Sequence, residues 1–241
     1  DSAALSWMDV SCGDVFYAEV NESQADDIIR NIAPKEIVIS ETSSFVKGEI
    51  IDKEKYDNWI PSQNGVNYLE KLYKSDLDPN IAKSLRMMLF YVDSLYFGNF
   101  PPLRKPLRYR SENSAALDYN TVANLEIEKT LIGGNREGSL LWAIDRTKTP
   151  MGKRSLAQII KNPLRNRDMI LLRQQSVSTF FNQGVFHKKI REHLGNIKDF
   201  ERTLSRILVK RGGPREIRML TSSISSALLL KEMVLETEGL D

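Results

Sequence analysis

The tract that most constrains the fold runs over residues 117–173, where helix starts and stops follow one another at short intervals. Asp118 stands before a helical turn carrying Val122 and Leu125, and Ser139 precedes Leu140, Leu141, Trp142, Ala143 and Ile144. A short oxygen-bearing side chain ahead of a helix accepts a backbone N–H that the first turn leaves unpaired. Thr149 followed by Pro150 repeats the signal, with proline at the first helical position, where its missing N–H costs nothing. Leu156, Ile159 and Ile160 fall on one face of the helix so started, and Asn162-Pro163 ends it. The pattern predicts short capped helices.

The rest of the chain divides around this tract. Leu5, Trp7 and Val10 predict a first strand, residues 15–20 a second, and Cys12-Gly13-Asp14 the hairpin turn between them. Ser23 is expected to cap a helix carrying Ile28, Ile29 and Ile32, which Pro34 stops. Ile37-Val38-Ile39 reads as a short buried strand and residues 45–51 as a further one, an order that predicts an α/β domain. Residues 52–76 carry weak signals: loop at Trp59-Ile60-Pro61, then a short helix with Tyr68, Leu69 and Leu72. Asp78-Pro79 opens a longer helix with Ala82, Leu85, Leu89, Val92 and Tyr96 on one side, and Gly98 is expected to end it. Pro101, Pro102 and Pro106 forbid helix, so residues 99–116 should be an extended linker anchored by Leu103 and Leu107.

Beyond residue 117 every readable signal is helical. Asn166 opens a helix with Ile170, Val177, Phe180 and Phe181 inward, closed by Gly184, and Phe186, Ile190 and Leu194 repeat at intervals of four. Asp199 caps a helix with Phe200, Leu204, Ile207 and Leu208, and Gly213-Pro214 starts another with Ile217, Leu220, Ile224 and Leu228. Charge divides the same way. Residues 1–100 hold 9 Lys/Arg against 17 Asp/Glu, a balance of −8, and residues 101–241 hold 25 against 15, or +10. A basic half suits a protein near nucleic acid, although scattered solvated charge gives the same number.

No tract reads Gly-x-x-x-x-Gly-Lys-Ser/Thr, and Gly133-Gly134-Asn135 lacks both a preceding strand and a lysine, so it is a turn. The single cysteine, Cys12, excludes an internal disulfide and fits a reducing, cytoplasmic setting. His187 and His193 have no cysteines nearby, so no metal site is expected. No apolar run approaches the roughly 20 residues that cross a bilayer, so no membrane partner is expected.

The wording of the helical tract carries more than its pattern. Asn124-Leu125-Glu126-Ile127, Gly138-Ser139-Leu140-Leu141-Trp142 and Asp145-Arg146-Thr147-Lys148-Thr149-Pro150-Met151-Gly152, in this order, resemble the core (lever) domain of the MutS mismatch-repair family. Asp199-Phe200-Glu201-Arg202-Thr203-Leu204-Ser205-Arg206, followed by Gly213-Pro214, is similar to the same core. Leu5-Ser6-Trp7-Met8-Asp9-Val10-Ser11 and Ile37-Val38-Ile39-Ser40-Glu41 resemble the family's connector domain. The resemblance implies a ribonuclease-H-like α/β connector over residues 1–98, a linker over 99–116, and the first half of an all-α core over 117–241, truncated before the clamp. It implies no cofactor in this piece, with ATP and Mg²⁺ used by the longer protein. The partners implied are duplex DNA with mispairs, a MutL-like protein at the connector, and a second copy. The family's Phe-x-Glu mispair-reading motif does not occur in the chain. Glu201, Arg202 and Arg206 are the candidate relay residues, able to pass motion through ion pairs between helices, against the plainer reading of solvated charges worth ~0–1 kcal/mol per exposed pair. Two other classes stand beside this one. A helical protein-interaction scaffold would need no DNA role, and a ribonuclease-H-type enzyme would need clustered carboxylates where the first strand supplies only Asp9.

Overall fold

The computed structural model describes residues 3–40, 46–73, 77–97, 99, 103–109, 115 and 117–236. Its chain divides into two compact units, one of Asp1–Tyr109 with Ser205–Arg211, the other of Arg110–Leu204 with Gly212–Asp241.

In the first unit, β1 (Ala3–Asp9) and β2 (Asp14–Val20) form an antiparallel hairpin with Ala3 opposite Val20 and Asp9 opposite Asp14. The turn is built as its residues predict. The Asp9 carbonyl accepts the Cys12 and Gly13 amides, and Gly13 takes φ +78°, a conformation in which glycine carries no Cβ penalty. Helix α1 (Glu22–Ile32) follows. Its cap is Asn21, not Ser23, which lies inside the helix: Asn21 Oδ1 accepts the Gln24 amide at 3.0 Å while Gln24 Oε1 accepts the Asn21 amide at 3.1 Å. A reciprocal capping box satisfies two orphan donors where a lone serine would satisfy one. Ala33, at φ +48°, ends α1 before Pro34.

Strands β3 (Val38–Ile39) and β4 (Glu49–Ile50) pair in parallel as a separate two-stranded sheet. A Cβ on Gly48 would stand 2.6 Å from the Ile37 carbonyl oxygen, so only glycine permits this approach. Phe45, expected at the start of the second strand, lies outside the described residues. Helices α2 (Lys53–Asp57) and α3 (Gln63–Tyr73) flank the Trp59–Pro61 loop. Helix α4 (Pro79–Tyr96) buries Ile81, Leu85, Met88, Leu89 and Val92 against Val15, Tyr68 and Leu103, the main core of this unit. Gly98, expected to end α4, lies outside the described residues, and the left-handed cap is Phe97 at φ +47°. Within the 99–116 segment, β5 (Leu107–Arg108) pairs parallel to β2 and makes the sheet three-stranded, in the order β1-β2-β5. Leu103 is a buried anchor there, but Leu107 is exposed, and Pro101 and Pro102 lie outside the described residues.

The second unit is helical: α5 (Tyr119–Asn124), α6 (Leu140–Ile144), α7 (Pro150–Lys161), α8 (Arg167–Asn182), α9 (Gly184–Asn196), the first half of α10 (Phe200–Leu208), and α11 (Pro214–Leu235). Asp118, Ser139, Thr149 and Asn166 cap their helices as predicted, each accepting the amide three residues on. Two cores form. Val122, Ile127 and Leu141 pack with Leu156 and Ile160, whereas Ile190, Ile197 and Leu230 pack with Phe180, Phe186, Leu194 and Phe200.

Several expected core residues are at the surface instead: Leu125, Ile159, Val177, Phe181, Leu204, Leu208, Ile217, Ile224 and Leu228. On α11 the reason is plain. That helix is apolar on more than one face, and the face turned inward carries Ser223, Ala227, Leu230 and Val234. Among the described residues no helix is long and apolar enough to cross a membrane.

Candidate functional site

The most developed polar site joins α7 to the start of α10, and both ends are prepared locally. Asp145 Oδ1 accepts the Thr147 amide at 3.1 Å and its hydroxyl at 2.6 Å, while Oδ2 accepts from Arg136 at 2.8 Å. The Thr147 hydroxyl foremost holds the Asp145 carboxyl below the usual carboxylate range. This braced turn leads into Thr149, whose Oγ1 accepts the Gly152 amide at 3.0 Å and starts α7. Arg154 follows one turn later.

The other end is Asp199. Its Oδ1 accepts the Arg202 amide at 3.3 Å, and its carbonyl accepts the Thr203 amide at 3.0 Å and the Thr203 hydroxyl at 2.7 Å. These bonds explain why Thr203 is buried without penalty. Just upstream, the Lys198 amide donates to the buried Ser223 hydroxyl of α11 at 3.0 Å.

Arg154 closes on this helix start with both terminal nitrogens. Nη1 donates to Asp199 Oδ2 at 2.6 Å, and Nη2 donates to Asp199 Oδ1 at 3.1 Å and to Glu201 Oε2 at 2.6 Å. The side chains are only 26%, 18% and 17% exposed for Arg154, Asp199 and Glu201. A planar fork meeting a carboxylate with two parallel bonds is the geometry that arginine has and lysine lacks. Burial of Asp199 works against its ionised form, but the bonds from Arg154 and the Arg202 amide prevail and hold its carboxyl below the usual range. The reciprocal effect, led by the Asp199 hydrogen bond, raises the Arg154 pKa further.

Of the three candidate relay residues, Glu201 is therefore a direct partner in this cluster. Arg202 is at its fringe, with Nε 3.8 Å from Asp199 Oδ2 and a side chain half exposed. Arg206 stands one turn further along α10, exposed, and its carbonyl accepts the Arg211 amide at 2.8 Å. Sequence reasoning found Asp199 as a cap and missed it as an arginine partner; it missed Arg154 altogether. Forty-five residues separate the two, and no local spacing links them. The spacing of Asp199 and Glu201 gave no signal either, because residues two apart on a helix do not face each other, and only the arrival of Arg154 brings their carboxylates to one nitrogen.

Among the described residues no group of three or more His, Cys, Asp or Glu side chains is placed to hold a metal ion. A small mixed sheet with helices, followed by a unit of capped helices joined by part-buried polar bonds, defines the class: an α/β unit followed in sequence by a helical one. A family model described as MutS domain III matches residues 120–240, just over half of the chain. The DNA mismatch repair protein MutS of Wolbachia pipientis wMel is 30% identical over 256 residues, covering 99% of this chain and 30% of that protein. MutS of Nitrobacter winogradskyi is 30% identical over 241 residues, 94% of this chain and 27% of its own length. That of Chlorobaculum parvum is 28% identical over 251 residues, 98% and 29% respectively. This chain belongs to the MutS family, and it spans less than a third of the length of these relatives.

Proposed function

We propose that the chain serves DNA mismatch repair as the connector and the first part of the lever of a longer MutS protein. In this reading residues 1–98 are the connector, 99–116 the passage between modules, and 117–241 the lever up to the clamp. The longer protein binds mispaired duplex DNA as a homodimer in the cytoplasm, uses ATP and Mg²⁺, and offers the connector to a MutL-like partner. The piece itself is mechanical: its helices carry motion, and Glu201, Arg202 and Arg206 belong to that relay.

The observation that carries the reading is the match of residues 120–240 to MutS domain III, together with similarity to MutS relatives across nearly the whole chain. The direct test uses the full-length gene product. Its affinity for a duplex with one mispair should exceed that for the matched duplex, and its ATP turnover should depend on which duplex is present. Equal affinity and DNA-independent turnover would overturn the reading and leave a helical protein-interaction scaffold in its place.

A further inference from the structure

Helix α10 starts beside Asp199, and whatever sets its direction at that first turn is carried along the helix. Two anchors act at that turn, and they differ in kind. The Lys198 amide bonded to the Ser223 hydroxyl is neutral, and both Ser223 and the neighbouring Ile197 are buried. Such a bond depends on no ionised side chain, which suits a pivot. The second anchor is ionic. Asp199 and Glu201 face Arg154 across to α7, and the attraction between them depends on the charge and orientation of one side chain.

We propose that Arg154 is a positioning residue. By clasping Asp199 and Glu201 together it fixes the direction in which α10 leaves the Lys198–Ser223 pivot, and opening of this clasp is the step by which α10 changes direction. The proposal rests on the reading of residues 117–241 as a motion-transmitting arm. Chemistry favours arginine for the task. Asp199 is needed as the cap of α10 and Glu201 sits favourably near the positive end of the helix, but the two carboxylates repel each other. Arginine can bond both at once, whereas a lysine ammonium is a point charge without the fork. With the clasp open, the pivot and the cap both survive, so α10 stays helical while losing its angular stop.

Two measurements test this. The first uses the 241-residue chain with Cys12→Ser and nitroxide labels on Ser155→Cys and Leu204→Cys, reading the label–label distance distribution by pulsed electron resonance. The parent should give one narrow distribution. Arg154→Gln should widen it at least twofold with helical circular dichroism unchanged, and Arg154→Lys should give an intermediate width. Glu201→Gln removes one carboxylate and leaves the cap, so it should widen the distribution less and keeps the test decisive if Arg154→Gln fails to fold. An unchanged width in these variants, with only a lower melting temperature, would reduce Arg154 to a structural ion pair and overturn the proposal.

The second measurement uses the full-length gene product and the ratio of ATP turnover on mispaired against matched duplex. Arg154→Gln should lower that ratio at least threefold while turnover without DNA stays within twofold. A ratio that survives Arg154→Gln would overturn the proposal. A parent protein with no such ratio would instead overturn the functional reading, and the distance measurement would then decide the clasp alone.

Discussion

Arg154 and Asp93 show how much of each unit depends on a single charged side chain. Loss of Arg154 leaves two largely buried carboxylates facing one another, and removing one partner of such a cluster is costly. Arg154→Gln should lower unfolding free energy by about 2–3 kcal/mol, as charge-assisted hydrogen bonds of this kind are worth, measurable by urea denaturation. The same cluster sets an acid limit. Because the folded Asp199 carboxyl titrates below its ordinary 3.8, its contribution is fully present above that value and is lost as pH falls through the lower folded value. The difference in melting temperature between the parent and Asp199→Asn should therefore be largest near neutrality and shrink below about pH 4. In the other unit, buried Asp93 accepts the Trp59 indole N–H at 3.0 Å and the Ser62 amide at 2.9 Å through one oxygen. Asp93→Ala should cost about 1–3 kcal/mol through the donors left unpaired. Red-shifted tryptophan emission would report the freed indole, and unchanged emission with unchanged stability would contradict this account.

At the scale of elements, α11 separates pattern from packing. Ile217, Ile224, Leu228 and Leu235 lie along one stripe of the helix and are all exposed, while Leu230 is buried among Ile190 and Ile197. Either face satisfies a 3.6-residue period, so periodicity alone cannot choose between them. Alanine scanning can. Leu230→Ala should cost about 2–4 kcal/mol, the range for emptying a leucine site in a core. Leu228→Ala should stay within about 0.5 kcal/mol, as for a surface change. Equal costs at the two positions would mean that the packed face is wrongly assigned. Helix α10 shows the same effect in smaller form. Its buried positions are Thr203 and Ser205 rather than Leu204 and Leu208, and the Thr203 hydroxyl is satisfied by the Asp199 carbonyl.

For the molecule as a whole, the charge map bears on DNA. The balance of −8 over residues 1–100 and +10 over residues 101–241 gives the helical part a diffuse attraction for phosphate and the rest a repulsion. The 241-residue chain should bind duplex DNA at or beyond the weak end of the non-specific range, ~10⁻⁴ M at physiological salt, without regard to a mispair. Anisotropy titrations with matched and mispaired duplexes at two salt concentrations would check this. A preference for the mispair, or binding that survives high salt, would reveal a reading element within these residues.

What the sequence determined by itself was local. Asp118, Ser139, Thr149, Asn166 and Asp199 were legible as helix starts because a cap finds its partner within three residues, inside the reach of the chain that carries it. The hairpin turn at Asp9–Asp14 and the wording shared with MutS domain III were legible for the same reason, as each is contained in one continuous stretch. Tertiary structure decided the rest. The entry of Leu107–Arg108 into the sheet beside β2, the choice of buried face on α11, and the meeting of Arg154 with Asp199 and Glu201 all depend on residues brought together from far apart in the chain. An apolar stripe states only that some neighbour must cover it, and a charge only that some partner must balance it. Which neighbour and which partner are properties of the packed chain.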